Sequence, residues 1–158
     1  MSDDEDLSAL IARLEEQERR LVFARFDCAD AWALGGLLVD LATTRSLPIA
    51  VDIQRGAQQM FHAALPGSSA DNDAWIRRKV RVVQRFGASS YLVGRRLAVK
   101  GQQLDATMGV DPAAYAAHGG AFPVRVPQVG VVGVLTVSGL PQAEDHELVV
   151  EAIEAYLS

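Results

Sequence analysis

HGGAFPVRVPQVGVVGVLTVSGLPQAEDHELVVEAI, His118–Ile153, is the stretch whose reading decides the fold. It reads in order as a glycine-lined entry, two buried strands, a tight turn and a closing amphipathic helix. Val129–Val137 is apolar on both parities, Val129, Val131, Leu135 and Val137 against Val132 and Val134, the pattern of a strand covered on both faces and so placed mid-sheet. Gly133 interrupts that run, and a missing side chain there predicts that another element, a helix, crosses close by. Ser138, Gly139 and Pro141 mark a turn, with Pro near the first helical position, where its missing N–H costs nothing. The last helix presents Leu148, Val149, Ala152, Ile153 and Tyr156 on one face and turns Glu147, Glu151 and Glu154 away.

Working outward, Leu7, Leu10, Ile11, Leu14 and Leu21 recur at helical spacing and predict an amphipathic first helix. Leu21–Phe26 (LVFARF) fits a short strand or an extended link. Asp27 or Asp30 can cap a second helix running from Ala31 to Ala42, in which Gly35 and Gly36 each cost about 1 kcal/mol relative to Ala and so imply a neighbour packed against them. Ile49, Val51 and Ile53 alternate with Ala50, Asp52 and Gln54, which predicts a strand with one face toward the core. Arg55-Gly56 then turns it into a hairpin with Gln58–Ala64. Asp71-Asn72-Asp73 caps a third helix whose apolar stripe reads Trp75, Val80, Val83 and Phe86. Ser89-Ser90 breaks it, Tyr91–Lys100 continues as a further helix, and Gly101–Ala117 holds turns around Gly109 and Asp111-Pro112. The expected class is α+β, five main strands in one antiparallel sheet with helices on its faces.

The 158 residues suit one domain, 7–158, behind an acidic tail, 1–6 (MSDDED). With 49% apolar and 22% charged residues the composition is that of a soluble globular protein. No run is long enough to span a bilayer, and an acidic start is unlike a secretory leader, so a cytoplasmic location is expected, with no membrane partner. Cys28, flanked by Asp27 and Asp30, is read as a small residue, not a nucleophile. The net charge of −5 argues against nucleic acid. Yet no acidic residue lies between Ala74 and Leu104, while Arg77, Arg78, Lys79, Arg81, Arg85, Arg95, Arg96 and Lys100 do. Arg77, Arg78, Arg81 and Arg85 share the side of their helix opposite Val80 and Val83. Lys79 leans toward the buried side, where a cation requires a partner. This surface reads as an anion site, or more simply as a face that is solvated or meets the acidic last helix or another subunit.

The three histidines lack the spacing of a metal site. Gly119-Gly120 has neither phosphate-loop frame, and Ser138-Gly139 fails the GxSxG pattern, so no catalytic residue can be named. His118, beside two glycines that let a ligand or backbone approach, is the best candidate for a functional imidazole; its plain alternative is a histidine hydrogen-bonded within a turn. Asp145-His146 is adjacent in a helix and therefore points apart, which favours capping over a base with its orienting carboxylate. His62 reads as a half-exposed strand residue. Composition and spacing alone leave the function open.

The succession Leu34-Gly35, Leu47-Pro48-Ile49-Ala50-Val51-Asp52-Ile53, Asp71-Asn72 to Trp75 with Arg78-Lys79, Ser89-Ser90, His118-Gly119-Gly120-Ala121-Phe122-Pro123, and Ser138-Gly139-Leu140-Pro141-Gln142 with Asp145-His146 resembles the HbpS/GlcG-like superfamily from about Leu10 onward. The resemblance implies a profilin-like α+β domain with a five-stranded antiparallel sheet, homo-oligomers, and haem binding under a haem-degrading label. Haem needs an axial donor, an apolar slot and cations for its propionates. The sequence offers His118 or His146, Trp75 and Phe122, and Arg78 or Lys79, and no CxxCH attachment motif. The expected ligand-binding set is therefore His118, Gly119, Gly120, Trp75, Arg78, Lys79 and His146, with haem as the cofactor the resemblance implies. The competing expectations are a non-enzymatic oligomeric scaffold that binds a protein partner or small carboxylate through Arg77–Lys100, and a small-molecule enzyme using His118 as acid or base.

Overall fold

A computed structural model describes residues 3–158. Five helices, α1 (Asp3–Arg20), α2 (Cys28–Thr44), α3 (Ala70–Phe86), α4 (Ser90–Val99) and α5 (Gln142–Leu157), surround strands β1 (Ala50–Arg55), β2 (Gln58–Ala64), β3 (Ala121–Val126) and β4 (Gly130–Ser138), with a single 3₁₀ turn at Ala106–Met108. The sheet is antiparallel throughout in the order β2-β1-β4-β3. The α+β class holds, with four strands where five were expected. Leu21–Phe26 bonds the sheet through Phe23 N–H to the Arg125 carbonyl (2.9 Å), while the N–H groups of Leu21 and Val22 turn back to the carbonyls of Gln17 and Arg20, so the stretch serves as an extended link that drops Phe23 into the core. Helix α1 already runs from Asp3, so the acidic tail expected through Asp6 is helical from that point, and Met1 and Ser2 lie outside the described residues.

Strand β4 is central, with β1 on one side and β3 on the other. From Gly133 onward its two parities are buried in different clusters, whereas Val129 lies before the strand and is 72% exposed and Val131 is also exposed, so the expected cover on both faces holds only for the later part of the run. Leu135 and Val137 join Val51, Ile53, Phe122, Val124 and the inner faces of α2 and α5, whereas Val134 joins Ala50, Ala121, Ile76, Val80 and Val83 under α3. Gly133 is needed for a different neighbour than expected: a Cβ there would lie 2.4 Å from the Gln54 carbonyl oxygen of β1, so the close approach is by the next strand and not by a helix. Strand β1 is likewise covered on both faces, since Asp52 is only 2% exposed.

Local chemistry sets the helix starts. Asp27 caps α2, and Asp30 closes the box by accepting the Asp27 N–H (2.9 Å) while donating its own to Asp27 Oδ1 (3.0 Å). Helix α3 starts one residue before the predicted cap, with Asn72 Oδ1 accepting the Ser69 N–H (2.8 Å). Its inner face is Ile76, Lys79, Val80, Val82 and Val83; Trp75 is half-buried and Phe86 is exposed, because the helix is rotated to bring Lys79 inward.

The two glycines of α2 differ. At Gly35 a Cβ would stand 2.5 Å from the Phe61 ring of β2, and at Gly36 it would meet nothing within 4 Å. Gly35→Ala should therefore destabilise the fold by about 1–3 kcal/mol through overpacking, with Phe61→Leu relieving part of the loss. Gly36→Ala should be neutral or stabilising by up to about 1 kcal/mol. Urea unfolding of the variants checks the opposite signs.

Candidate functional site

The arginines of α3 build the site by holding a loop. Arg78 donates to the carbonyls of Pro112 (3.2 Å) and Tyr115 (3.4 Å), Arg81 to Ala114 (3.0 Å), and Arg85 to Met108 (3.0 Å) and Gly109 (3.4 Å). The Ala116 N–H returns a bond to the Arg78 carbonyl (3.1 Å). Through these three arginines the cationic surface is turned to the chain's own loop, whereas Arg77 and Lys100 are exposed, Arg96 pairs with Glu15 of α1 and Lys79 faces the last helix. The three bond the segment leading into His118, which delivers that residue to the edge of α3.

There the His118 ring lies against Trp75, with ring centres 5.3 Å apart, and the Arg78 guanidinium covers Trp75 at 4.6 Å. The imidazole remains open to solvent. Its partial burial against Trp75, aided by the charges of Lys79, Arg78 and Arg95, holds its pKa below the ordinary histidine value, so it is neutral at physiological pH. On one side of it is a cleft of about 240 Å³, lined by Asp71, Asn72, Trp75, Lys79, Gly119, Ser138, Gly139, Leu140, Gln142 and Asp145. On the other is a groove of about 640 Å³ bordered by Arg78, Arg95, Leu97, Leu104 and Tyr115. Among the described residues, Arg78 Nε and Arg95 Nε are buried donors without a partner.

The cleft floor is an ion pair. Lys79, 3% exposed, donates to Asp145 Oδ2 (3.1 Å) and to the Val137 carbonyl (3.1 Å), and Asp145, 2% exposed, also accepts the Leu140 N–H (3.0 Å). Burial pushes the Lys79 ammonium below the usual lysine range against the opposing pull of Asp145. Burial also raises the Asp145 carboxyl, opposed by Lys79 and by the N–H groups of Leu140 and Gly139. Gly120, at φ +136°, leaves room for this: a Cβ there would lie 2.4 Å from the Val137 oxygen and 2.7 Å from Lys79 Nζ.

Of the expected ligand-binding residues, the structure brings Trp75, Lys79, His118 and Gly119 to the cleft, with Gly120 packed on Lys79 and Arg78 across His118 in the groove. His146 is a correction. It is 1% exposed, bonded through Nε2 to Gln17 Oε1 (2.7 Å), and flanked by the rings of Tyr91 and Phe122. Phe122 is itself core, so it walls no slot. As expected of helical neighbours, Asp145 and His146 point apart, and the aspartate bonds the turn before its helix. Sequence reasoning placed Lys79 inward with a partner but did not identify Asp145 as that partner. It also missed Ser138, Gln142, Asp71 and Asn72 as cleft walls, although both motifs stand in the chain as SGLPQ and DN. Among the described residues no group of three or more His, Cys, Asp or Glu could hold a metal ion, and no helix is long and apolar enough to cross a membrane.

The chain, a four-stranded α+β domain, belongs to the haem degrading protein HbpS-like family, whose model matches residues 26–154. The UPF0303 protein SCO2848 of Streptomyces coelicolor is 65% identical over 147 residues, covering 93% of this chain and 93% of its own. Among solved structures, the Ybr137w protein is 32% identical with a TM-score of 0.84, covering 99% of this chain and 95% of its own. The PduOC:heme complex shares the fold at 16% identity and a TM-score of 0.69, covering 82% and 94%.

The buried His146 titrates far from its ordinary value of 6.5, being pushed down to about 4 chiefly by burial. Between those values the unfolded chain takes up a proton that the folded chain refuses. The contribution is therefore fully present above the unfolded value and is lost as pH falls toward the folded one, reaching about 3 kcal/mol. Glu18, Asp52 and Asp145, whose carboxyls burial raises, act in the opposite direction. Urea unfolding at about pH 7.5 and about pH 4.5 should show His146→Gln losing less stability on acidification than the parent, by about 2–3 kcal/mol.

Proposed function

We propose that this chain binds haem or a related anionic tetrapyrrole in the groove beside His118. The supporting observation is the convergence, on one groove, of a solvent-open neutral imidazole with two guanidiniums whose Nε–H groups are buried without partners. A neutral imidazole has a lone pair for iron, and Arg78 and Arg95 suit the propionates, while Leu97, Leu104 and Tyr115 offer apolar contact for a porphyrin edge. Those residues fit the group that the family's description implies. Bound haem would supply the iron chemistry toward oxygen, and the protein would hold and orient it. That the related fold of PduOC is found as a heme complex is in keeping with this reading.

The scaffold alternative along Arg77–Lys100 has less support, because Arg78, Arg81 and Arg85 already bond carbonyls of the chain's own loop. Self-association belongs to the proposal. Strand β2 leaves one edge unpaired, and Trp32, 65% exposed, extends the apolar surface next to it against Phe61. A cytoplasmic setting is proposed with it, in keeping with the single exposed thiol of Cys28.

Titration of the purified protein with hemin should give a saturable Soret shift. His118→Ala should weaken it by about tenfold or more, and Arg95→Glu should weaken it without unfolding the loop that Arg78 holds. A parent spectrum that hemin leaves as the sum of its parts removes the reading.

A further inference from the structure

The cleft on the other side of His118 has chemistry that a tetrapyrrole does not use. Its floor is the Nζ of Lys79, and the identity of that residue is informative. Of the 15 basic residues in the chain only Lys79 and Lys100 are lysines. Lys100 is exposed, whereas Lys79 is buried. Arginine keeps its proton in any protein setting, while a buried lysine can give it up and become a nucleophile. A chain that otherwise uses arginine places one of its two lysine amines on the floor of a cleft, 3.1 Å from a buried carboxylate.

We propose that Lys79 forms an imine with a small aldehyde or ketone bound in this cleft, with Asp145 taking up and returning the proton. The neutral carbonyl class follows from the charges. Lys79 is balanced by Asp145, Asp71 adds a second carboxylate to the wall, and no arginine lines the cleft, so nothing is left over to hold an anion. A carbonyl oxygen needs only hydrogen-bond donors, which the wall has in the amides of Asn72 and Gln142 and the hydroxyl of Ser138. About 240 Å³ accommodates a molecule of a few carbons.

The step balances without a further reactant. The ammonium of Lys79 passes a proton to Asp145 Oδ2. The freed nitrogen lone pair forms a bond to the carbonyl carbon, the C=O π pair moves to oxygen, and the proton shed by the now cationic nitrogen passes to that oxygen to give a carbinolamine with its nitrogen pair restored. The hydroxyl then leaves as water, assisted by the Asp145 proton, as the nitrogen pair closes the C=N bond. Ammonium and carbonyl become iminium and water, and Asp145 ends as a carboxylate beside the iminium. Burial eases the first transfer from both ends, because it lowers the lysine and raises the aspartate. Gly120 keeps the approach open, since any side chain there would press on Nζ.

Incubating the intact protein with acetaldehyde or acetone and sodium cyanoborohydride at about pH 7.5 traps any imine as a stable alkyl amine, and peptide mass spectrometry reads Lys79 and Lys100 separately. Lys79 should be labelled at least about tenfold faster than the exposed Lys100. In concentrated urea the preference should vanish, and Asp145→Asn should slow Lys79 while leaving Lys100 unchanged. Labelling of Lys79 no faster than Lys100 overturns the assignment, and so does a preference that persists in urea. A Lys79 rate untouched by Asp145→Asn overturns the aspartate's part. Hemin plays no role in this readout, so this inference and the tetrapyrrole reading can fail separately.

Discussion

The contact between Lys79 and Asp145 ties α3 to β4 and α5, a consecutive pair of elements far from it in the chain. Lys79 belongs to α3, the Val137 carbonyl it also engages belongs to β4, and Asp145 stands in the first turn of α5 while holding the Leu140 N–H of the turn between them. Removing two ions from water costs several kcal/mol each, and a buried pair seldom returns more than that cost. A hydrophobic pair of similar volume would hold α3 on the sheet as well or better. What the ions add is position: each of their bonds has one geometry, so α3 can seat on β4 in one register only. Breaking the pair from one side would strand a buried charge, which makes the register strongly enforced. The rotation of α3 that brings Lys79 inward is the same rotation that leaves Phe86 exposed and Trp75 half-covered at the cleft mouth.

From that seating the rest of the site follows. With α3 fixed, Arg78, Arg81 and Arg85 project from its outer side at successive turns and meet the carbonyls of the loop between α4 and β3. That loop contains little regular structure of its own, only the turn at Ala106–Met108, so most of its carbonyls would otherwise face water. Guanidiniums, with several donors in a rigid fork, suit this task better than ammonium groups. The loop so held ends at His118, whose ring settles against Trp75 between the two depressions.

Much of the scaffold was legible because it is written in local periodicity. The inner part of the double-parity run, Val134–Val137, the hairpin at Arg55-Gly56, the cap at Asp27 and the amphipathic last helix each depend on residues a few positions apart, whereas Val129 and Val131 of the same run are exposed. The count of strands was not legible in the same way. LVFARF has strand composition, but only tertiary pairing decides whether a ladder forms, and here one bond to Arg125 is all that forms. Gly133 shows the same limit: its need for space could be read, but not whether a helix or a strand carbonyl fills it. In the site, Lys79 was legible as inward and partnered from its place on the helix wheel. Its partner lies 66 positions away, and sequence offers no local pattern that joins them. His146 misled for the complementary reason. A histidine's type suggests chemistry, while its position on the inner face of α5, packed between Tyr91 and Phe122, makes it core.

The two faces of the sheet divide the work of the molecule. The face toward α2 and α5 is apolar throughout, with Val51, Ile53, Phe122, Val124, Leu135 and Val137 in one continuous cluster. That face supplies most of the burial that drives folding. The face toward α3 alternates small apolar residues with Asp52, Thr136 and Ser138, all buried. Among the described residues Asp52 Oδ2 and Thr136 Oγ1 have no hydrogen-bond partner, although the two residues pair directly across β1 and β4. A stability-driven sequence would replace such groups, since an unsatisfied buried polar atom costs about 1–3 kcal/mol. Their clustering on the face that α3 covers, along the same strands that lead to Ser138 and the Lys79 pair, means that the polar cost is concentrated on the side of the sheet that carries the cleft, while the opposite face stabilises the fold.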